Sequence, residues 1–226
     1  MGIELDEYLQ TVEVETGGQP EAAILWLHGL GADGHDFEPI VTELNLPFPV
    51  RYIFPHAPVR NVTINNGMAM RAWYDIYSFD RGGPVDEAGM RDSQTRVEAL
   101  LEREAQRGVP PENTVMAGFS QGGAIALQTA LAYPQKLAGI MGLSCYLPLQ
   151  DGFENYCSEE NQATSVFLGH GSMDPVLPQA LGENARDFLI EHGYAVEWHS
   201  YPVAHGVCPP EIRDVARWLT QVLGKR

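Results

Sequence analysis

The sequence predicts an α/β fold in which a mostly parallel central sheet is covered by helices on both faces. Three observations support this prediction: short continuous apolar runs, segments between them whose apolar residues recur at helical spacing, and Gly or Pro at the ends of both. Strands of a parallel sheet are buried on both faces and therefore appear as continuous apolar runs. Their alternation with helices indicates a layered domain whose functional loops lie at the carboxyl ends of the strands.

The first predicted strand is the apolar run at 22–27, which ends at His28 and Gly29. A second strand is predicted at 51–54. Residues 55–89 are rich in Gly, Pro and aromatic residues and show no clear periodicity, so we predict a long loop there. A loop of this length in a compact domain often carries function.

The rest of the chain continues the alternation. A helix from Ser93 is indicated by apolar residues on one face, and Gly108 ends it. Gly193 ends a later helix, and Pro209 and Pro210 open the last one. These later elements are predicted as a strand at 114–118, a Gly- and Ala-rich helix at 121–132, strands at 137–144 and 165–169, a helix at 178–192, a strand at 196–201 and a final helix from 209.

Composition narrows the class of protein. The chain has 226 residues and no linker-like segment, so we predict a single domain over 1–226. Thirty acidic against 14 basic residues give a formal net charge of -16, which disfavours nucleic acid and anionic membranes as partners. No apolar run is long enough for a transmembrane segment. The three cysteines include no C-x-x-C pair, so we expect neither a disulfide scaffold nor a metal site, and a cytoplasmic location.

Residues 118–122, with sequence GFSQG, match the G-x-S-x-G nucleophile elbow of α/β-hydrolases. An apolar strand precedes the motif and a small-residue helix follows it, which is the context that the elbow requires. The glycines are needed because the turn between strand and helix is strained and crowded. Ser120 is therefore the candidate catalytic nucleophile.

A serine nucleophile needs a general base and a group that orients the base. In this fold the chain order is Ser, then Asp or Glu, then His. Four histidines follow Ser120, and His205 alone lies in a loop between a predicted strand and the terminal helix. Asp174 directly follows a buried strand and precedes His205. We therefore predict Asp174 and His205 as the other catalytic residues, in preference to Asp151 and Asp187.

Attack by serine also needs backbone donors for the oxyanion, typically the N–H after the nucleophile and one from the loop after an early strand. These are the N–H groups of Gln121 and Leu30. For His28, in the same early loop, we favour a structural role over catalysis.

Residues 29–34 also satisfy G-x-G-x-x-G, the dinucleotide-binding pattern. That pattern requires an acidic residue at the end of the second strand to hold the ribose, and residues 53–57 read IFPHA. We therefore expect no nicotinamide cofactor, and indeed no cofactor at all.

Six blocks, taken together, resemble the phospholipase/carboxylesterase family, which includes acyl-protein thioesterases and small bacterial carboxylesterases. They run in the family's order over nearly the whole chain. The most specific are WYD at 73–75 and the elbow extended by one glycine, GFSQGG at 118–123. The blocks are LHGLG at 27–31, FPHAP at 54–58, AWYD at 72–75, GFSQGG at 118–123, GHGSMDPV at 169–176 and AHG at 204–206.

The resemblance implies an α/β-hydrolase fold without a large cap domain and an acyl-enzyme on Ser120. It also suggests that residues 63–70 flank an acyl pocket, as a hydrophobic flap, with Leu30, Met68, Trp73 and Leu177 as substrate-binding candidates. For Met68 and Trp73, simple core packing is an equally good interpretation.

The functional hypothesis is a serine carboxylesterase that hydrolyses small-molecule esters of short to medium acyl chains. The alternative is an acyl-protein thioesterase or lysophospholipase with the same three residues, acting on an acylated protein or a lipid. A non-catalytic binding protein of this fold is the alternative from a different class. The sequence is also compatible with a homodimer.

Overall fold

The computed structural model describes residues 8–78 and 83–224 and contains a seven-stranded sheet and a separate hairpin. The strands are β1 (Thr11–Glu15), β2 (Ala22–Leu27), β3 (Val50–Pro55), β4 (Val59–Val62), β5 (Met68–Arg71), β6 (Thr114–Phe119), β7 (Gly139–Leu143), β8 (Val166–Gly171) and β9 (Val196–Tyr201). The helices are α1 (Ile40–Leu44), α2 (Glu87–Gln106), α3 (Gln121–Ala132), α4 (Gln179–Glu191) and α5 (Pro209–Leu223).

The large sheet has the strand order β1-β3-β2-β6-β7-β8-β9, and β4 and β5 form the hairpin. Every neighbouring pair in the large sheet is parallel except β1 and β3, which are antiparallel. Phe119 pairs with Leu143, and Leu143 pairs with Gly169. Because parallel strands end at the same edge, this register brings the residues that follow β6, β7 and β8 together.

The strands bury alternate residues in two cores, one on each face of the sheet. In β2, Ala23, Leu25 and Leu27 belong to one core, and the intervening residues belong to the other. Helices α2, α3 and α4 cover the first core, whereas α1 and α5 cover the second. The predicted arrangement, a mostly parallel sheet with helices on both faces, is confirmed.

The predicted bounds of three elements agree with the structure to the residue. The strands β2 and β9 and the helix α3 begin and end at the predicted residues. Helix α2 begins at Glu87, six residues before the predicted start at Ser93. The Asp86 side chain accepts a hydrogen bond from the Gly89 N–H and thereby caps the amino end of α2. The first two turns were missed because their residues are mostly exposed and show no apolar stripe.

Three features were not predicted: β1, α1 and the β4–β5 hairpin. Strand β1 is a half-exposed edge strand, and α1 has five residues. The hairpin lies inside the predicted loop at 55–89, and in β5 no residue is fully buried. Its ladder depends on backbone pairing and not on an apolar pattern, so hydrophobic periodicity could not indicate it.

In the described ranges, no helix combines the length and apolar character that crossing a lipid bilayer requires. The cysteines Cys145, Cys157 and Cys208 are all free thiols.

Candidate active site

The turn between β6 and α3 holds Ser120 in a strained backbone conformation. Its φ is 54° and its ψ is -123°, a region that residues with a side chain rarely adopt. A Cβ atom on Gly118 would lie 2.4 Å from the Gly122 carbonyl oxygen, and one on Gly122 would lie 2.3 Å from the His28 carbonyl oxygen. Both positions therefore require glycine, and the crowded turn presents the Ser120 hydroxyl beyond the end of the strand.

The three predicted catalytic residues form a hydrogen-bonded line. His205 Nε2 lies 2.9 Å from Ser120 Oγ, and His205 Nδ1 lies 2.6 Å from Asp174 Oδ2. Asp174 follows β8, and His205 lies in the loop between β9 and α5, as expected. With the Asp174 carboxylate as acceptor, Nδ1 carries the proton and Nε2 is free to accept the serine proton.

The Asp174 carboxylate is fixed from its other side. Its Oδ1 accepts hydrogen bonds from the backbone N–H groups of Val176, at 2.8 Å, and Leu177, at 2.9 Å. The side chain is fully shielded from solvent. Donors to both oxygens hold the carboxylate in one orientation toward His205.

His170 is a buried neighbour of this carboxylate. Its Nε2 lies 2.9 Å from the Leu177 carbonyl oxygen and 3.7 Å from Asp174 Oδ2. Burial lowers the pKa of His170, and the Leu177 carbonyl and the Asp174 charge oppose that shift. A neutral ring donates from Nε2 to Leu177, so His170 holds the segment that positions Asp174. Sequence reasoning gave this histidine no role.

The predicted oxyanion donors lie on either side of the nucleophile. Gln121 is the first residue of α3, where a backbone N–H has no partner within the helix. In the described parts of the chain, neither this N–H nor that of Leu30 donates a hydrogen bond to another protein atom. Leu30, Ser120 and Gln121 line one common cavity.

The loop that carries Leu30 is braced by His28. Its Nδ1 lies 2.7 Å from the Gly29 carbonyl oxygen, and its Nε2 accepts the Ala57 N–H at 3.0 Å. Burial lowers the pKa of His28 to about 4, which keeps the ring neutral. These contacts support the structural role that we favoured for His28.

The Gln121 side chain links the elbow to the segment at 73–75. Its Oε1 accepts the Trp73 N–H at 2.9 Å, and its Nε2 donates to the Tyr74 carbonyl at 2.8 Å. Trp73 Nε1 donates to the His28 carbonyl at 2.8 Å. The WYD block and the extended elbow, which carried the family resemblance, thus contact one another directly.

A cavity of about 280 Å³ opens beside Ser120 and His205, and we call it the acyl cavity. Two of the substrate-binding candidates, Leu30 and Leu177, belong to its wall. Three further wall residues, Ile76, Tyr146 and Val176, were missed by sequence reasoning. Ile76 directly follows the AWYD block, and Val176 is the last residue of the GHGSMDPV block, so these two motifs are the signal that could have indicated them.

Met68 and Trp73 do not line the acyl cavity. The Met68 side chain is 63% exposed at the first residue of β5, whereas Trp73 is fully buried. For Trp73 the core interpretation is the better one, because its ring packs against His28 and its Nε1 is already paired. The hairpin nevertheless contacts the site, since the Gly31 N–H donates to the Arg71 carbonyl at 2.9 Å.

Comparisons with known proteins identify the family of the chain. The model of the phospholipase/carboxylesterase family matches residues 9–223. An acyl-protein thioesterase 1 from Cryptococcus neoformans is 38% identical over 220 residues, which cover 89% of this chain and 92% of that protein.

Solved structures give the same result. The structure of SOBER1 from Arabidopsis thaliana is 34% identical, with a TM-score of 0.84 over 89% of this chain and 99% of the other. The structure of acyl-protein thioesterase 2 from Zea mays is 31% identical, with a TM-score of 0.83 over 96% and 100%. Since family model, relatives and structures each match most of its length, the chain belongs to the phospholipase/carboxylesterase family of hydrolases and has the α/β-hydrolase fold.

Proposed function

We propose that this protein hydrolyses the thioester of an acylated protein through an acyl-enzyme on Ser120. The observation that carries the proposal is the hydrogen-bonded line of Ser120, His205 and Asp174 beside an apolar cavity. Relatives named acyl-protein thioesterase, 35% to 38% identical, favour this substrate over the small ester that we expected from the motifs.

In the first half of the reaction, His205 Nε2 takes the proton of Ser120 Oγ while that oxygen attacks the acyl carbonyl carbon. The N–H groups of Leu30 and Gln121 stabilise the negative charge that develops on the carbonyl oxygen. Asp174 keeps the imidazole in the required tautomer and stabilises its positive charge. The C–S bond then breaks, and the leaving sulfur takes the proton from His205.

In the second half, a water molecule gives a proton to His205 and attacks the acyl-enzyme. The C–O bond to Ser120 breaks, and Ser120 Oγ recovers its proton from His205. The products are a free carboxylic acid and a free thiol.

The volume and the apolar walls of the acyl cavity favour a substrate with a medium-length acyl chain. Its volume of about 280 Å³ lies at the small end of the range for ligand pockets. Ile76, Val176 and Leu177 give it apolar walls on which methylene groups can pack.

Hydrolysis of oxygen esters is the second candidate function, because the family description names carboxylesterases as well as phospholipases. The chemistry differs only in the leaving atom. A site of this kind can process both substrates, so relative turnover and not the site's residues decides between the two.

The test compares a peptide with S-octanoyl cysteine and the same peptide with O-octanoyl serine, using the wild type and Ser120→Ala. We expect the thioester to have the larger kcat/KM, and the variant to lose turnover by about 10³-fold or more. A fluorophosphonate probe should label the wild type and not the variant. An unlabelled, inactive wild type would instead support a non-catalytic binding protein, and a preference for the oxygen ester would support the carboxylesterase.

A further inference from the structure

A second cavity of about 340 Å³ adjoins the acyl cavity at His205. It runs along α1 and the beginning of α5, and we call it the leaving-group cleft. The two cavities share three wall residues, Asp36, Phe119 and His205. Ser120, Leu30 and Gln121 line only the acyl cavity.

The reaction places different parts of the substrate in the two cavities. The acyl carbonyl must lie at Ser120 and at the N–H groups of Leu30 and Gln121, so the acyl group occupies the acyl cavity. The leaving atom must lie at His205 Nε2, from which it takes its proton. His205 is the boundary between the cavities, so the part of the substrate beyond the leaving atom extends into the leaving-group cleft.

The cleft has one apolar wall. The apolar wall residues include Phe37, Ile40 and Val207. Phe37 is fixed by its ring contacts with Trp26, at a centroid distance of 5.1 Å, and with Phe119, at 5.4 Å. This wall can pack against an aliphatic stem.

The cleft also carries two carboxylates, Asp36 and Glu43. Neither forms an ion pair within the described part of the chain, whereas the neighbouring Glu38 is paired with His35 at 2.8 Å. Of the described residues that line the cleft, His205 is the one that could carry positive charge, and it is needed for catalysis.

An aliphatic stem that ends in a positive charge matches both features, and lysine is the side chain with this character. We propose that the leaving-group cleft binds a lysine side chain next to the acylated cysteine of the substrate polypeptide. This inference rests on the proposed function and narrows it to substrates in which basic residues flank the acylated position.

Two peptides with the same acyl group test the inference. One carries S-octanoyl cysteine between two lysines, and in the other both lysines are Nε-acetylated, which keeps the stem and removes the charge. At about pH 8, where ordinary carboxyl groups are ionised, we expect kcat/KM to be about fivefold larger for the lysine peptide. The preference should shrink as ionic strength rises.

Variants assign the preference to the cleft. Asp36→Asn and Glu43→Gln should each lower the kcat/KM ratio of the two peptides, and the double variant should bring it close to one. The ratio cancels any effect of the substitutions on acyl transfer itself. Glu191→Gln is the matched control, since it removes the same charge from an exposed residue at the end of α4. There the chain returns to the amino end of β9, which is the edge of the sheet opposite the site. Its ratio should equal that of the wild type.

The outcomes separate the inference from the proposed function. If the wild type hydrolyses both peptides equally and Ser120→Ala hydrolyses neither, the function stands and the cleft does not bind lysine. If Glu191→Gln lowers the ratio as much as Glu43→Gln, the preference comes from the overall negative charge and the inference is wrong. If the wild type hydrolyses neither peptide, the function and the inference fail together.

Discussion

At the scale of single residues, the sequence pattern does not reveal that one carboxyl group near the site is buried. Glu211 lies in the first turn of α5, six residues after His205, and is 1% exposed. Neither of its oxygens has a hydrogen-bond partner of good geometry among the described residues. Burial raises the pKa of Glu211 to about 7, the negative charge of Asp214 adds to this, and the nearby Cys208 N–H opposes it.

We predict that Glu211→Gln stabilises the protein above neutral pH. A carboxyl whose pKa is raised on folding holds its proton more tightly in the folded state, so stability falls as pH rises from about 4.5 to about 7. Glutamine does not titrate, so the difference in free energy of unfolding should grow over this window to about 2–3 kcal/mol at pH 8. Urea unfolding at pH 5 and pH 8 measures it. An equal difference at both values would show that Glu211 does not titrate in this window.

At the scale of elements, the site depends on contacts between segments that are distant in sequence. The Gln121 side chain joins the beginning of α3 to residues 73 and 74, which follow the hairpin. Because both partners are buried backbone groups, this side chain completes the hydrogen bonds of a segment that has no ladder of its own.

We predict that Gln121→Leu lowers the free energy of unfolding by about 2 kcal/mol, because it leaves the Trp73 N–H and the Tyr74 carbonyl buried and unpaired. Turnover should also fall, since the loop that carries Leu30 packs against the same segment. Thermal unfolding and a peptide thioesterase assay measure the two effects. Gln94→Leu is the control. Among the described residues, its partly buried side chain bonds to Glu98 alone, one turn further along α2, and the change should cost about 1 kcal/mol or less. Similar losses in both variants would contradict the assigned role.

The site residues that the sequence predicted follow strands of the sheet, whereas those that it missed lie on loops. Ser120 and Asp174 could be located because each follows a strand that is buried throughout, and parallel strands end at one edge. His205 could be located because it lies in the loop between β9 and the helix that Pro209 opens. Ile76 and Tyr146 line the acyl cavity only because loops fold over the sheet edge, and loop paths leave no periodic signal. The hairpin was missed because its two strands pair through their backbones and bury almost no apolar side chains.

At the scale of the whole molecule, a buried ion cluster joins α2 to the edge of the sheet. Glu104 is fully buried and accepts hydrogen bonds from Arg51, at 2.8 Å, and Arg107, at 2.8 Å. Arg103 also pairs with it, at 2.9 Å. Through Arg103 and Arg107 the cluster extends to Glu13 on β1, so it ties the antiparallel edge strand to the helix that covers it.

We predict that Glu104→Gln lowers the free energy of unfolding by about 3–5 kcal/mol, because it leaves three guanidinium groups without their shared carboxylate. Asp92→Asn, which removes a carboxylate from exposed pairs with Arg60 and Arg96, should cost less than about 1 kcal/mol. Urea unfolding of both variants provides the comparison. Equal effects would mean that the cluster adds no more than a surface ion pair.

The spacing of the hydrogen-bonded line along the chain also has a kinetic consequence. Ser120 and His205 are 85 positions apart, and Asp174 and His205 are 31 apart. Contacts of such long sequence separation require large loops to close, so they are slow to form. The nucleophile that follows β6 therefore meets its base only when β9, at the far edge of the sheet, has docked. During refolding, turnover should return after helical signal does, and its recovery marks completion of the native topology.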